Sequence, residues 1–201
     1  MWNRSFLILH GVENHRPAEH WQYDLAQRLR EGGEQVFYPQ LPNPDRPALA
    51  AWTAAIEAEL DMMRGERVVV CHSLGCAAWF HLAADRGDIP PADRVLLVSP
   101  PGPATFTWDV IAGFTPASLD LTRLNLSVAT PRLVCSDNDP YCSEDAADVY
   151  GKPLGCDVDL LSGAGHLSVP DGYGPWPSVL DWCLDPATRL APNSPGRLGT
   201  E

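Results

Sequence analysis

Residues 67–80 read Arg-Val-Val-Val-Cys-His-Ser-Leu-Gly-Cys-Ala-Ala-Trp-Phe. Three consecutive valines, β-branched and apolar, predict a short strand buried on both faces. Small and apolar residues at helical spacing follow at once: Cys76, Ala77, Phe80, Ala83 and Ala84. Between strand and helix stand only residues 71–75, Cys-His-Ser-Leu-Gly. So tight a turn sets Ser73 at its tip, beyond the end of a parallel sheet, as in a small-x-Ser-x-Gly nucleophile elbow. Residues two before and two after the serine must be small, because the backbones nearly touch there. Gly75 meets that demand, and Cys71 stands where the pattern usually has glycine. A Ser-x-Gly turn without chemistry is common, so the motif gains its weight from the strand before it and the helix behind it.

Outward from this turn the chain alternates strand and helix. Phe6–Leu9 reads as a first strand, and Trp21, Leu25, Ala26 and Leu29 recur on one helical face before Gly32-Gly33. Gln35–Tyr38 is a second strand, and a proline-rich loop, 39–47, leads to a helix over about 47–64 with Leu49, Trp52, Ile56 and Leu60 on one face. Residues 94–98, 132–135 and 157–161 are further strands, with short helices expected at 143–150 and 176–184. Residues 100–127 are irregular and predict a connection with a short helix overhanging the sheet edge. No repeat or second domain is visible. One domain over 1–185, with a disordered tail over 186–201 rich in Pro, Gly, Ser and Arg, is the expected organisation. The architecture is α/β, a parallel sheet of about six strands with helices on both faces.

Composition narrows the function. With 45% hydrophobic and 20% charged residues the chain has the balance of a soluble globular protein. A formal charge of −12, with one lysine, argues against a nucleic-acid partner, which needs clustered Lys and Arg. The apolar run 6–9 is too short for a signal or membrane segment and reads as a strand. The six cysteines show neither a C-x-x-C pair nor zinc spacing, as expected of reduced thiols used as small hydrophobes in the cytoplasm. His10, His15 and His20 share no helix face, so no metal is expected.

In a parallel sheet the site lies beyond the carboxyl ends of the strands. The polar residues there are His10-Gly11-Val12-Glu13-Asn14, Ser73, Ser136-Asp137-Asn138-Asp139-Pro140 and Ser162-Gly163-Ala164-Gly165-His166. Serine, then aspartate, then histidine, each after its own strand, is the triad order of α/β-hydrolases. A serine hydroxyl needs a base, imidazole titrates near neutrality, and a carboxylate on the far ring nitrogen fixes the tautomer. Asp139-Pro140 could equally be a turn and His166 a loop histidine; their joint order is what favours catalysis. Asp137, two residues earlier, competes for the acid role, and Asp139 is preferred. The amides of Leu74 and Val12 are the candidate oxyanion donors. His10 should pack beneath the oxyanion loop, His72 should turn away from the serine, and His81 should be an ordinary helix residue. Trp108, Phe114, Tyr141 and Trp176 are available to line a pocket.

His10-Gly11 followed by His20-Trp21, the 71–76 elbow, residues 136–141 and the ending 172–177, Gly-Tyr-Gly-Pro-Trp-Pro, together resemble the small serine hydrolases of the retinoblastoma-binding-protein-9 and YdeN type, up to about residue 184. The resemblance implies a three-layer α/β-hydrolase fold of minimal size, strand order 2-1-3-4-5-6, and Ser73, Asp139 and His166 as the triad. Cys71 and Ser168, where asparagine is expected, depart from the pattern. The resulting expectation is a cofactor-independent serine hydrolase acting on a small ester, thioester or amide substrate, with no nucleic-acid or membrane partner and no protein partner indicated. A binding or scaffold protein on the same fold, and an acyltransferase using the same acyl-enzyme, are the alternatives.

Overall fold

Six parallel strands form one sheet in the order β2-β1-β3-β4-β5-β6. They are β1 (Arg4–Leu9), β2 (Gln35–Phe37), β3 (Glu66–His72), β4 (Arg94–Val98), β5 (Arg132–Ser136) and β6 (Asp157–Leu161). The computed structural model describes residues 3–142 and 145–193. The valine run sits in the middle of the sheet, where Val70 lies between Ile8 of β1 and Leu96 of β4. Successive side chains of β3 alternate between the faces. Val68 and Val70 enter the layer built on α1 (Trp21–Glu31) and α4 (Pro177–Leu184), with Trp21, Leu25, Trp176 and Trp182. Val69 and Cys71 enter the layer built on α2 (Leu49–Met62) and α3 (Leu74–Arg86), with Trp52, Ile56, Trp79 and Phe80. Each large apolar side chain buried this way contributes roughly 1.5–3 kcal/mol, so both layers hold the sheet. The edge strands β2 and β6 are only partly buried, because each has a neighbour on one side alone.

The expected helix over 143–150 appears in part as a π-helical turn, Ala147–Gly151; residues 143 and 144 lie outside the described residues. Residues 100–127 contain no α-helix. Four short 3-10 turns, the first Pro103–Thr107 and the last Leu121–Arg123, carry the chain over the carboxyl edge of the sheet. Pro116 keeps the second of these turns from running into the third, because it holds Thr115 before it out of the helical region, and no apolar helical period favours a longer helix.

The expected tail needs correction over 186–193. Leu190 is buried, Arg189 reaches Asp157 and Asp159 at 2.9 and 2.7 Å, and the Trp176 Nε1–H donates to the Ala191 carbonyl at 2.7 Å. Composition alone suggested disorder, but one apolar side chain and one arginine suffice to dock this stretch. Residues 194–201 lie outside the described residues. Among the described residues no helix is long and apolar enough to cross a membrane.

Candidate active site

The turn between β3 and α3 holds Ser73 at φ 52°, ψ −126°. A non-glycine residue in that region stores on the order of 1–3 kcal/mol, and it persists only where its surroundings demand it. Here the Ser73 N–H donates to the Val98 carbonyl and the Ser73 carbonyl accepts from Cys76 N–H, both at 2.9 Å. The closest approach at Gly75 is to β1 rather than to its own strand. A Cβ there would lie 2.9 Å from the His10 carbonyl oxygen and 3.0 Å from that of Leu9. Gly11 is as constrained, since a Cβ on it would sit 2.8 Å from Ser73 Cβ. The loop after β1 is therefore pressed against the serine, and Val12 and Leu74 line the same cleft as Ser73. Leu74 opens α3, so its N–H has no acceptor within the helix. Cys71 and Cys76, which flank the serine, are buried thiols whose burial pushes their pKa values up, which keeps them protonated.

His166 and Asp139 meet beyond the ends of β5 and β6. The His166 Nδ1 lies 3.0 and 2.9 Å from the two carboxylate oxygens of Asp139, and both side chains are buried. Asp139 also accepts from the Tyr141 N–H at 2.9 Å. Asp137 is elsewhere: exposed, it accepts from Ser162 Oγ and from the Gly163 N–H, both at 2.7 Å. These bonds hold its carboxyl below its ordinary pKa.

The polar run 136–139 has a purpose that its sequence did not disclose. Ser136 Oγ accepts from Ala164 N–H at 2.9 Å and Asn138 Oδ1 from Gly165 N–H at 2.7 Å. With Asp137 on Gly163 and Asp139 on His166, four consecutive side chains at the end of β5 and just beyond it grip the loop that carries the histidine. Asp171 closes the grip from the other side, accepting at Oδ2 from the His166 and Ser168 N–H groups at 3.0 and 3.1 Å. Ser168-x-x-Asp171 is a capping box, a readable signal, and it explains serine at 168: its hydroxyl donates to Asp171 at 2.6 Å.

Other histidines complete the frame. His10 accepts from the Leu41 N–H at Nε2 and its Nδ1 lies 2.7 Å from the Gly11 carbonyl. His72 lines the cleft through another contact: its Nε2 donates to the His166 carbonyl at 3.0 Å, with ring centres 5.0 Å apart. His20 caps α1, accepting from Gln22 N–H at Nδ1, while the Trp21 indole N–H donates to the Leu167 carbonyl at 2.9 Å. The His20-Trp21 pair thus ties the start of α1 to the histidine loop. Burial brings His10 and His20 down to about 4 and holds His72 well below the ordinary imidazole value, so all three are neutral near pH 7. His81 supports the irregular connection, its Nε2 lying 3.2 Å from the Phe114 and Thr115 carbonyls.

The cleft over Ser73 and His166 has a volume near 730 Å³. Of the four candidate pocket aromatics, Trp108 and Tyr141 line it. Phe114 and Trp176 do not. Phe114 is buried edge-on against Trp52, ring centres 5.1 Å apart, and Trp176 is buried against Trp21 and Tyr173. Both rings pack inside the layers, where their apolar area contributes most. Among the described residues no group of three or more His, Cys, Asp or Glu side chains is arranged to hold a metal ion.

Parallel order, elbow and strand-end site define an α/β-hydrolase fold. Residues 6–184 match the family model described as serine hydrolase, and the chain belongs to that family. YdeN of Bacillus subtilis (strain 168) is 23% identical over 178 residues, covering 89% of this chain and 93% of YdeN. The crystal structure of the B. subtilis ydeN gene product superposes with a TM-score of 0.74 at 22% identity, over 90% of this chain and 97% of that one. An esterase domain of a Rhodothermus marinus protein shares the fold at a TM-score of 0.61 and 15% identity, over 86% and 82% of the two chains.

Proposed function

We propose that this serine hydrolase cleaves a small ester, thioester or amide through an acyl-enzyme on Ser73. One observation carries the reading: a buried Asp139–His166 pair at 2.9 Å opens onto the same cleft as the strained Ser73. Asp139 accepts the Nδ1 proton of His166, which leaves Nε2 as the base. In acylation Ser73 Oγ bonds to the acyl carbon and gives its proton to His166 Nε2. The bond to the leaving oxygen, sulfur or nitrogen then breaks and His166 returns the proton to it. In deacylation a water molecule repeats the sequence, and the acid and free Ser73 are the products. The Val12 and Leu74 N–H groups carry the developing oxyanion, each worth on the order of 10²–10³ in rate. A cytoplasmic setting fits buried thiols such as Cys71 and Cys76 that serve as small apolar side chains.

The test is fluorophosphonate labelling with intact-mass detection on wild type and Ser73→Ala. A single adduct, lost in the variant, is expected. A folded wild-type protein that takes no adduct would overturn the reading in favour of a binding protein. Adding an alcohol or amine to a turnover reaction then separates hydrolysis from acyl transfer, since a transferase yields the ester or amide in place of the acid.

A further inference from the structure

The lining of the cleft over Ser73 has two unlike parts. One is Trp108, Val110, Tyr141 and Val169, large apolar side chains that all remain exposed. Trp108 meets Tyr141 edge to face with ring centres 5.6 Å apart, and Tyr141 meets His166 likewise at 4.6 Å. Aromatic surface thus runs without a break from the rim to the histidine. A cluster of exposed apolar side chains around one concave site is what a ligand-binding wall looks like.

The loop after β1 and the head of α1 supply the polar part of the lining, Glu13, Asn14, His15 and His20 beside Val12 and Pro17, but offer no cation to an anion. Among the described residues lining the cleft there is no lysine or arginine. Arg16, the cation on that loop, is turned away. It donates to the Tyr38 carbonyl at 2.6 Å and to Gln40 at 3.2 Å, and its guanidinium lies over the Tyr38 ring. His15 is turned to Asp45, its Nε2 lying 2.8 Å from the carboxylate. His20 accepts from Gln22 N–H at Nδ1, so its ring proton sits on Nε2, a neutral donor. The charge that remains unmatched on the lining is the Glu13 carboxylate, on a chain of net charge −12.

We infer that the preferred substrates are uncharged esters or thioesters with an apolar substituent laid along the Trp108–Tyr141 wall, and that a carboxylate near the scissile bond is rejected. The inference rests on the Ser73 reading above. An anion entering the cleft leaves water, meets Glu13, and finds neither guanidinium nor ammonium to replace its hydration. An alkyl or aryl group gains by covering the apolar wall.

Two matched pairs test it: 4-nitrophenyl hexanoate against mono-4-nitrophenyl adipate, and S-propyl thiobutyrate against S-butyryl-3-mercaptopropionate. In each pair kcat/KM should favour the neutral member by at least about a hundredfold, and Glu13→Arg should narrow the gap about tenfold, in line with a close charge pair. Fluorophosphonate labelling of Ser73 is run beside them. Labelled enzyme that turns over both members of each pair equally overturns the selectivity and leaves the hydrolase reading intact. A gap that Glu13→Arg does not move overturns its electrostatic origin. Neither label nor turnover overturns both.

Discussion

The two ends of the same sheet treat charge in opposite ways. At the amino ends of the strands, arginines meet carboxylates directly. Arg94 reaches Glu66 at 2.6 Å and donates to the Trp182 and Cys183 carbonyls, which fastens α4 to the sheet. Arg132 pairs with Asp157 and Asp159 at 3.0 and 3.1 Å, and Arg189 joins the same two aspartates, which fastens the chain beyond α4. At the carboxyl ends the carboxylates of Asp139 and Asp171 are bonded by an imidazole, a hydroxyl and backbone amides, with no arginine or lysine among their described partners. A guanidinium neutralises a carboxylate and locks it; amides and an imidazole hold it in place with its charge available to a moving proton. One end is built to bind the structure together; the other, under the function proposed above, is the end that reacts.

That contrast can be broken at either end. The largest effect is expected from Asp139→Asn, which keeps the shape but presents an N–H to His166 Nδ1 and forces the wrong tautomer. Labelling and turnover should fall on the order of 10⁴-fold with the melting temperature nearly unchanged. A fall of less than tenfold would remove Asp139 from the mechanism.

Acid should weaken the carboxyl end selectively, because it depends on neutral histidines. For His20, the unfolded chain binds a proton below about 6.5 while the folded chain refuses it until about 4. The unfolded state therefore carries more protons in that window, and stability falls as pH drops through it, levelling off below about 4. The loss is on the order of 3 kcal/mol. Denaturant unfolding of wild type and His20→Asn, which retains an N-cap acceptor, should show curves that converge between pH 7 and pH 4. Parallel curves would sink the assignment.

The smallest effect is at the amino end. Arg132→Met removes one partner of the buried Asp159, yet Arg189 still holds that carboxylate. A cost of about 2 kcal/mol is expected in chemical denaturation, below the roughly 3–5 kcal/mol of a buried pair broken outright. The labelling rate of Ser73 should not change. A variant that labels more than threefold slower would show that the two ends are coupled.

Much of this was legible in the residues. The valine run, the small residues after Ser73 and the alternation of strand with helix determine a parallel sheet, because only buried strands tolerate apolar residues on both faces. The order of polar strand ends was enough to nominate Ser73, Asp139 and His166 as candidates. Phe114 and Trp176 were not legible as core residues, because an aromatic in an irregular segment carries no period to say which way it faces. Nor was the ordered stretch 186–193, where a polar composition conceals Leu190 and Arg189.

By itself the sequence determined what local chemistry dictates: which segments pair as strands, where the chain must turn tightly, and which side chains are able to transfer a proton. Tertiary structure alone decided who meets whom across long separations. It placed Gly11 against Ser73, set four consecutive side chains of 136–139 on the loop of His166, and turned Arg16 away from the cleft. Those are pairings between loops that are neighbours only because the sheet orders their strands side by side, and no spacing along the chain encodes them.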